Sequence, residues 1–372
     1  AARGGALTVV AVTGSVGKTT TKDLTRQLLA AQGPTVAPIA SFNNEVGLPL
    51  TVLLADETTR HLVLEMGASG PGHITYLTDI VSPDVAIELC VGHAHVGGFG
   101  GFEGVAAAKA ELIKGTRPGG PVILNTDDPN VEAMAPLATG RVIRFSASGN
   151  ERADVVARDV RLDRADRASF TLVTPEGEAP VELKIVGRHH VANALAAAAG
   201  ALTLGVGLET VASVLSRARA LSPHRMDVRE LELAGLNGHS LGILLIDDSY
   251  NANIDSMTAA LAVLPALAGD RRRVVVISEM LELGESSAAD HARTGELAAR
   301  AGAAMLIGIG STQEALEAAR ARGVEVVGFD DAATAISQID ALLCDGDAVL
   351  VKGSNGSGAW RLADHLKEVR PR

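Results

Sequence analysis

A glycine loop near the start of the chain, T-G-S-V-G-K-T-T at positions 13–20, constrains the fold more than any other stretch. An apolar run at 7–12 precedes it and predicts a buried strand, while residues 22–31 follow with a helical pattern. Strand, glycine loop and helix form the context of a phosphate-binding loop, because glycine lets backbone N–H groups face a phosphate and a helix N-terminus attracts anions. In this interpretation Lys18 reaches the β- and γ-phosphates of a nucleoside triphosphate, and the Thr19 hydroxyl holds Mg²⁺.

One position departs from the common pattern of such loops. A further glycine is usual five residues before Gly17, where this chain has Val12. Taken alone, the short G-x-x-G-K-T run therefore leaves open a chance turn without a ligand. The strand before it and the helix after it favour the phosphate-binding interpretation.

Composition excludes several classes of function. Aromatic residues are only 2% of the 372 residues, which argues against stacking platforms for single-stranded nucleic acid. The formal charge of −11 disfavours nucleic acid and anionic membrane as partners. Cys90 and Cys344 are two isolated thiols, which indicates a reducing cytoplasm. Because no apolar run reaches about 18 residues, we expect no membrane insertion.

Apolar segments alternate with helical patterns along most of the chain. This alternation predicts an α/β fold: a central P-loop-type, mostly parallel sheet domain with a small antiparallel insert at 154–186, followed by a C-terminal Rossmann-like α/β domain. The predicted domains are residues 1–226 and residues 227–372. Strands are predicted at 7–13, 61–66, 84–91, 121–125, 141–145, 241–246, 273–278, 304–308, 324–327 and 348–351; helices are predicted at 17–31, 102–115, 189–204, 208–219, 256–267 and 288–301.

Three polar residues near the predicted strand ends and in the following helix are candidate metal ligands. Glu65 ends one strand, His95 follows another, and Lys109 lies in the helix after it. Because the carboxyl ends of parallel strands meet at one edge of a sheet, Thr19, Glu65 and His95 are expected to meet there. Individually, each has a simpler explanation, since a terminal glutamate, a loop histidine and a helical lysine are usually solvated.

Motifs in a fixed order along nearly the whole chain resemble the Mur ligase family. Besides T-G-S-V-G-K-T-T, they are S-F-N-N-E-V-G-L-P-L-T (41–51), L-E-M-G-A (64–68), A-H-V-G-G-F-G (94–100), A-K-A-E (108–111), V-G-R-H-H-V-A-N-A-L (186–195), P-H-R-M (223–226), D-D-S-Y-N-A-N (247–253), E-M-L-E-L-G-E (279–285) and V-K-G-S (351–354). The resemblance is strongest to members that add D-Ala-D-Ala to UDP-MurNAc-tripeptide in cell-wall synthesis. It implies an ATP-dependent amide ligase that forms an acyl phosphate and releases ADP and phosphate.

The resemblance also implies roles for individual residues. Lys18, Glu65, His95 and Lys109 would be catalytic, with two Mg²⁺ ions held by Thr19, Glu65, His95 and a CO₂-carbamylated Lys109. ATP would be bound by Gly14, Ser15, Gly17, Lys18, Thr19 and Thr20, with Asn193 at adenine, Arg225 at a phosphate and Asp248 at the ribose. The substrates would be bound by Asn43, Asn44, Asn251, Asn253, Lys352 and Ser354. We expect a cytoplasmic monomer.

Some positions depart from the family's pattern, namely Cys90, His93, Gly97, His190 and Ile254. The family also carries an N-terminal domain of about a hundred residues that grips the UDP group, and this sequence begins just before the phosphate loop. Two alternatives therefore stay open at this point. One is an amide ligase of another pathway that uses a different acyl donor. The other is a nucleotide-binding homologue without ligase activity.

Overall fold

The structure is a computed structural model that describes residues 7–92, 101–234, 240–281 and 283–368. It divides into two compact units. The first contains the residues up to Asp163 and Arg167–Ser222, and the second contains Arg164–Asp166 and the residues from Pro223 onward. Among the described helices, none is long and apolar enough to cross a membrane.

One nine-stranded sheet forms the centre of the first unit. Its strands are β1 (Thr8–Thr13), β2 (Thr35–Val36), β3 (His61–Glu65), β4 (Val85–Glu88), β5 (Val122–Asn125), β6 (Val142–Ser146), β7 (Val155–Leu162), β8 (Arg167–Thr174) and β9 (Gly177–Val186). They lie in the order β2-β3-β1-β4-β5-β6-β7-β8-β9. Strands β1 to β7 pair in parallel, and β7, β8 and β9 pair antiparallel. The predicted parallel sheet and antiparallel insert are confirmed, and the insert extends the same sheet.

Two aliphatic cores cover the faces of this sheet. The helices are α1 (Lys18–Leu29), α2 (Gly47–Val52), α3 (His73–Ile80), α4 (Phe102–Lys109), α5 (Glu111–Lys114), α6 (Pro129–Glu132), α7 (His190–Thr203) and α8 (Leu208–Arg217). Alternate residues of β1 face opposite cores: Val10 and Val12 pack with α1 and α7, whereas Val9 and Ala11 pack with α4 and α5. Burial on both faces explains why β1 is a continuous apolar run, as expected for a central parallel strand.

The second unit has a six-stranded sheet with one antiparallel edge. Its strands are β10 (Asp227–Ala234), β11 (Ser240–Asp248), β12 (Arg273–Ser278), β13 (Met305–Ile309), β14 (Glu325–Phe329) and β15 (Ala348–Lys352). The order is β10-β11-β15-β12-β13-β14, with only the β10–β11 pair antiparallel. Its helices are α9 (Ile254–Ala268), α10 (Ser287–Arg300), α11 (Gln313–Arg320), α12 (Ala332–Leu342) and α13 (Ala359–Lys367). The predicted Rossmann-like domain is confirmed.

Strand order in the second unit brings two distant residues together. Strand β15, the last in sequence, lies between β11 and β12, and its register pairs Lys352 with Asp248. Both residues end their strands, so their side chains lie at the carboxyl edge of the sheet, where open α/β sheets usually bind ligands.

Candidate functional site

The glycine loop turns tightly between β1 and α1. Gly14 and Gly17 have φ values of +145° and +85°, which side chains rarely adopt. A Cβ on Gly14 would lie 2.8 Å from the Cβ of Leu89, and a Cβ on Gly17 would collide with the side-chain oxygen of Asn193. Gly17 offers no side chain to cap α1, so the first N–H groups of the helix are left for another acceptor. A bare backbone cradle at a helix N-terminus suits a phosphate group.

Polar side chains of the loop contact the loop itself and the segment that follows β4. The Lys18 ammonium donates to the carbonyl oxygens of Gly14 at 2.8 Å and Ser15 at 3.5 Å. The Ser15 hydroxyl accepts from the Gly92 N–H at 2.8 Å. Thr20 lies half-buried in the first turn of α1. Within the part of the chain that the structure describes, the Lys18 ammonium donates to backbone carbonyl oxygens alone, so a bound phosphate would be a stronger, charged partner for it.

Glu65, at the end of β3, is held by three side-chain donors. Thr19 Oγ1 donates to Oε2 at 2.7 Å, whereas Ser41 Oγ and Asn43 Nδ2 donate to Oε1 at 2.6 and 2.7 Å. Both Thr19 and Glu65 are almost fully buried. These contacts fix the carboxylate beside the first turn of α1. A hydroxyl and a carboxylate are hard oxygen donors of the kind that Mg²⁺ prefers, so the residues present fit this cation.

Lys109 is a buried lysine close to two acidic side chains, Glu65 and Glu88. The Lys109 side chain is buried at the end of α4, although a helical lysine usually faces water. Burial and the nearby Lys18 lower the pKa of Lys109 to about 8, against the opposing effect of Glu88 and Glu65. Burial raises the pKa of Glu88, the last residue of β4, to about 8. The sequence predicted Lys109 here but missed Glu88, because a glutamate at a strand end is ordinarily solvated.

His95, the remaining predicted ligand, lies outside the described residues, as do His93 and Gly97. Its role as a ligand of a second Mg²⁺ therefore stays a prediction. The same holds for carbamylation of Lys109.

The two neighbouring asparagines predicted to bind substrate make different contacts. Asn43 donates to Glu65 and to Ser41, so it orients the carboxylate. Asn44 Oδ1 accepts from the N–H groups of Val46 and Gly47, at 3.3 and 2.8 Å, and so fixes the start of α2. Residue type does not distinguish the two roles, which depend on the path of the loop.

Asn193 lies beside the phosphate loop. It is buried in the first half of α7, with its side-chain oxygen against Gly17 and its Nδ2 3.0 Å from His190 Nδ1. His190, one of the positions that depart from the family's pattern, thus contacts the predicted adenine-binding residue directly. Recognition of adenine by Asn193 remains a prediction.

In the second unit, Asp248 and Lys352 form an ion pair. Lys352 Nζ lies 2.6 Å from Asp248 Oδ2 and also donates to the Asn251 carbonyl oxygen at 3.0 Å. Asp248 Oδ1 accepts from the Met226 N–H at 3.2 Å. The neighbouring Arg225 guanidinium lies over the Tyr250 ring, 4.4 Å from its centroid. Lys352 was expected with the amine-donating substrate and Asp248 with the ribose, whereas here they contact each other.

Two other predicted substrate residues of the second unit make contacts within the protein. Asn253 is the N-cap of α9, where its Oδ1 accepts from the Ser256 N–H and the Ser256 hydroxyl accepts from the Asn253 N–H. The Ser354 hydroxyl accepts from the Leu281 N–H at 3.0 Å. Substrate binding by these residues stays a prediction.

Two buried ionic networks have no counterpart in the sequence predictions. In the first unit, Lys22 Nζ lies 2.6 Å from Asp23 Oδ1 and donates to Ser222 Oγ at 3.1 Å. In the second, Asp247 accepts from His224 Nδ1 at 2.7 Å and from the Lys367 ammonium. No short-range pattern marks these residues, because each network joins segments that are distant in sequence.

Both units of the chain match models of known protein families. The model of the Mur ligase middle domain matches residues 12–201, and that of the Mur ligase glutamate ligase domain matches residues 224–355. The chain is 42% identical to UDP-N-acetylmuramoyl-tripeptide–D-alanyl-D-alanine ligase of Mycobacterium tuberculosis H37Rv, over 97% of this chain and 73% of the relative. It is 33% identical to the ligase of the same name from Escherichia coli K12, over 97% and 77% of the two chains.

Solved structures agree with these matches. The structure of MurF from Acinetobacter baumannii superposes with a TM-score of 0.84 at 33% identity and covers 97% of this chain and 77% of that chain. The MurF ligase from Thermotoga maritima in complex with ADP gives a TM-score of 0.77 at 28% identity and covers 97% of this chain and 79% of that chain.

Proposed function

The chain belongs to the Mur ligase family, and we propose that it joins UDP-MurNAc-tripeptide to D-Ala-D-Ala in the synthesis of peptidoglycan precursors. It is an ATP-dependent, ADP-forming ligase. The related ligases carry these two substrates in their names, and the solved MurF structures match the fold of 97% of this chain. We expect the reaction in the cytoplasm, where ATP is available, and we expect a monomer.

The contact between Thr19 and Glu65 carries this proposal. It joins the first turn after the phosphate loop to the end of β3, so the phosphate cradle and a buried carboxylate face the same edge of the sheet. A simple phosphate-binding turn would need only the loop. A carboxylate oriented by three donors beside that loop indicates a site for a phosphate-bound cation, as phosphoryl transfer requires.

The reaction proceeds in two steps. An oxygen of the tripeptide's terminal carboxylate attacks the γ-phosphorus of ATP, and the bond from this phosphorus to the β–γ bridging oxygen breaks, which gives an acyl phosphate and ADP. The amino nitrogen of D-Ala-D-Ala then attacks the acyl carbon, and the tetrahedral intermediate expels phosphate as the nitrogen loses its proton. Both steps gather negative charge at the same place, so cationic and N–H donors there lower the barrier.

The residues of the first unit have defined tasks in these steps. Loop N–H groups and the N-terminus of α1 bind the phosphates. Lys18 leaves the carbonyl oxygens of its own loop and contacts the γ-phosphate. When bound, Mg²⁺ neutralises phosphate charge and aligns the reacting groups; Thr19 and Glu65 would hold it, with Ser41 and Asn43 orienting Glu65.

Isotope transfer tests this function directly. UDP-MurNAc-tripeptide labelled with ¹⁸O in its terminal carboxylate is incubated with ATP, Mg²⁺ and D-Ala-D-Ala, and the products are analysed by mass spectrometry. We expect ADP and one ¹⁸O atom in each released phosphate, only with both substrates present. A Lys18→Ala variant serves as the control without turnover. Release of AMP and pyrophosphate, or of unlabelled phosphate with amide formed, would contradict the proposal.

A further inference from the structure

Lys22 and Asp23 form a buried ion pair in α1, one turn after Thr19. The exposed fractions of the two side chains are 0% and 3%, and Lys22 Nζ lies 2.6 Å from Asp23 Oδ1. Consecutive residues of a helix do not ordinarily face each other, so a third group must draw these two side chains together. That group is Ser222, which is also buried and lies 200 positions after Lys22 in the chain.

The Lys22 ammonium is bonded to a loop segment that precedes α2. Its Nζ donates to the Pro38 carbonyl oxygen at 2.7 Å and to Ser222 Oγ at 3.1 Å. Together with Asp23 these are three acceptors, which match the three N–H groups of an ammonium. The Ser222 hydroxyl in turn donates to the Ile39 carbonyl oxygen at 3.0 Å. Lys22 and Ser222 therefore bind two consecutive carbonyl groups of the same segment.

The Asp23 carboxylate fixes the end of the first unit against the same helix. Its Oδ2 accepts from the N–H groups of Leu221 and Ser222 at 3.2 and 2.9 Å. One turn later, the Gln27 side-chain amide donates to the Arg219 carbonyl oxygen at 3.0 Å and accepts from the Arg219 N–H at 3.2 Å. The bonded segment belongs to no helix or strand, so side-chain hydrogen bonds from α1 fix its position.

The segment bonded to Lys22 also carries two donors to Glu65. Ser41 and Asn43, which follow residues 38–39 by a few positions, donate to Glu65 Oε1 at 2.6 and 2.7 Å. This segment forms no helix or strand, so its path depends on contacts such as those with Lys22. A displacement of the segment would move both donors away from the carboxylate.

Helix α1 thus acts on both oxygens of Glu65. Thr19 donates to Oε2 directly. Lys22, three positions later on the same side of the helix, holds the segment whose side chains donate to Oε1. A buried ion pair often adds no more stability than apolar side chains of similar volume. Apolar packing is not directional, whereas these hydrogen bonds specify a position, so the pair is better suited to positioning than to stability alone.

We propose that Lys22 and Asp23 are positioning residues of the cation site: they hold the segment of residues 38–43 and thereby orient Glu65. This inference rests on the proposed function, because Glu65 would hold the cation in that reaction. Asp23 takes part by holding Lys22 and by holding Ser222, whose hydroxyl is bonded to the same segment. The two residues act through this segment and need no contact with the cation.

The test uses Mn²⁺ as the probe and the whole chain saturated with ADP. Bound Mn²⁺ is measured by electron paramagnetic resonance, after subtraction of a blank with ADP alone. The main variant combines Lys22→Met with Asp23→Asn, so that no buried charge is left unpaired, and we expect it to weaken Mn²⁺ binding at least about threefold. The matched control is Thr25→Val. Thr25 is fully buried in α1 and its hydroxyl donates to the Thr21 carbonyl oxygen within that helix, so Mn²⁺ binding should be unchanged.

Urea unfolding of the same proteins separates positioning from stability. Lys22→Met alone leaves the Asp23 carboxylate buried without its counter-charge, so we expect it to be the least stable variant. Adding Asp23→Asn should restore part of the lost stability but not the Mn²⁺ affinity. A role in stability alone would instead restore both together.

Two results would overturn the inference. One is an Mn²⁺ affinity of the double variant equal to that of the unchanged protein, and the other is an equal loss of Mn²⁺ affinity in Thr25→Val. The double variant keeps the inference testable if Lys22→Met alone folds poorly. Binding of Mn²⁺ to the ADP complex requires neither UDP-MurNAc-tripeptide nor D-Ala-D-Ala, so isotope transfer by the unchanged protein decides the proposed function separately.

Discussion

Thr19 and Glu65 are joined by a 2.7 Å hydrogen bond that links the start of α1 to the end of β3. Val12, just before the phosphate loop, pairs with Glu65 in the parallel register of β1 and β3. Residues on both sides of the loop therefore contact Glu65. The other carboxylate oxygen is held by Ser41 and Asn43. The geometry of the carboxylate is thus set by residues of the protein before any cation binds, which is how preorganised metal sites are built.

The contrast between Asn43 and Asn44 gives a first prediction. Asn43→Ala removes a donor to Glu65, and we expect the Mg²⁺ concentration for half-maximal ADP release to rise about tenfold. Asn44→Ala removes the acceptor that holds the start of α2, and it should instead lower the free energy of unfolding by about 1 kcal/mol. Mg²⁺ titrations and urea unfolding of both variants provide the measurement. An identical Mg²⁺ requirement in both variants would contradict the assigned role of Asn43.

Local patterns were sufficient to predict the elements that carry the site. Strand β1, the glycine loop and α1 follow from an apolar run, two glycines and a helical period, all within 25 consecutive positions or so. The segment that holds Ser41 and Asn43 has no regular secondary structure, so no periodicity predicted that it would lie against Glu65. Burial of Lys109 is likewise a tertiary effect. Only the family resemblance pointed to it.

The shortest elements and the spatial order of the strands also could not be predicted from local sequence patterns. Strand β2 has two residues and α2 has six, too few for a periodic pattern to rise above chance. The pairing of Asp248 with Lys352 depends on the insertion of β15 between β11 and β12. A sequence predicts strands more readily than their spatial order, so this contact was beyond prediction.

The second prediction concerns the backbone of the phosphate loop. Gly17 and Gly72 both precede a helix with φ near +84°, at +85° and +83°, so alanine at either position should cost about 1 kcal/mol of stability. Only at Gly17 would the new Cβ meet a neighbour, the side chain of Asn193; no atom lies within 4 Å at Gly72. We therefore expect Gly17→Ala to abolish ADP binding and Gly72→Ala to retain it, as measured by isothermal titration calorimetry. Equal ADP affinities would show that the loop does not bind the phosphates.

The third prediction concerns acid stability of the second unit. Burial alone would raise the pKa of Asp247, but hydrogen bonds from His224, Lys367 and Ser249 outweigh it and lower the pKa. The unfolded chain therefore takes up a proton at a higher pH than the folded one. The stabilisation by ionised Asp247 is complete above the pKa of the unfolded state, about 4. It is lost as the pH falls through the lower pKa of the folded state.

Asp247→Asn tests this linkage. At pH 7 it should lower the free energy of unfolding by about 3 kcal/mol, because it leaves Lys367 without its buried counter-charge. The loss of stability between pH 5 and pH 3 should also be smaller than in the unchanged protein, when both are unfolded with urea. Asp331→Asn is the matched control, since Asp331 also has a lowered pKa but is exposed and caps α12, where asparagine is an equally good cap. A steeper acid loss in Asp247→Asn would contradict the assignment.

The fourth prediction concerns the ion pair between Lys352 and Asp248. From the sequence, Lys352 was expected to bind the amine substrate and Asp248 the ribose. In the structure, Lys352 Nζ lies 2.6 Å from Asp248 Oδ2, and the Lys352 side chain is almost fully buried. A lysine that positions Asp248 should affect ATP, so Lys352→Met is expected to raise the KM for ATP and leave the KM for D-Ala-D-Ala unchanged. A double-mutant cycle with Asp248→Asn should give a coupling energy of at least about 1 kcal/mol in urea unfolding, because each single change leaves the other group uncompensated. A rise in the KM for D-Ala-D-Ala alone, with additive stability losses, would instead assign Lys352 to the amine substrate.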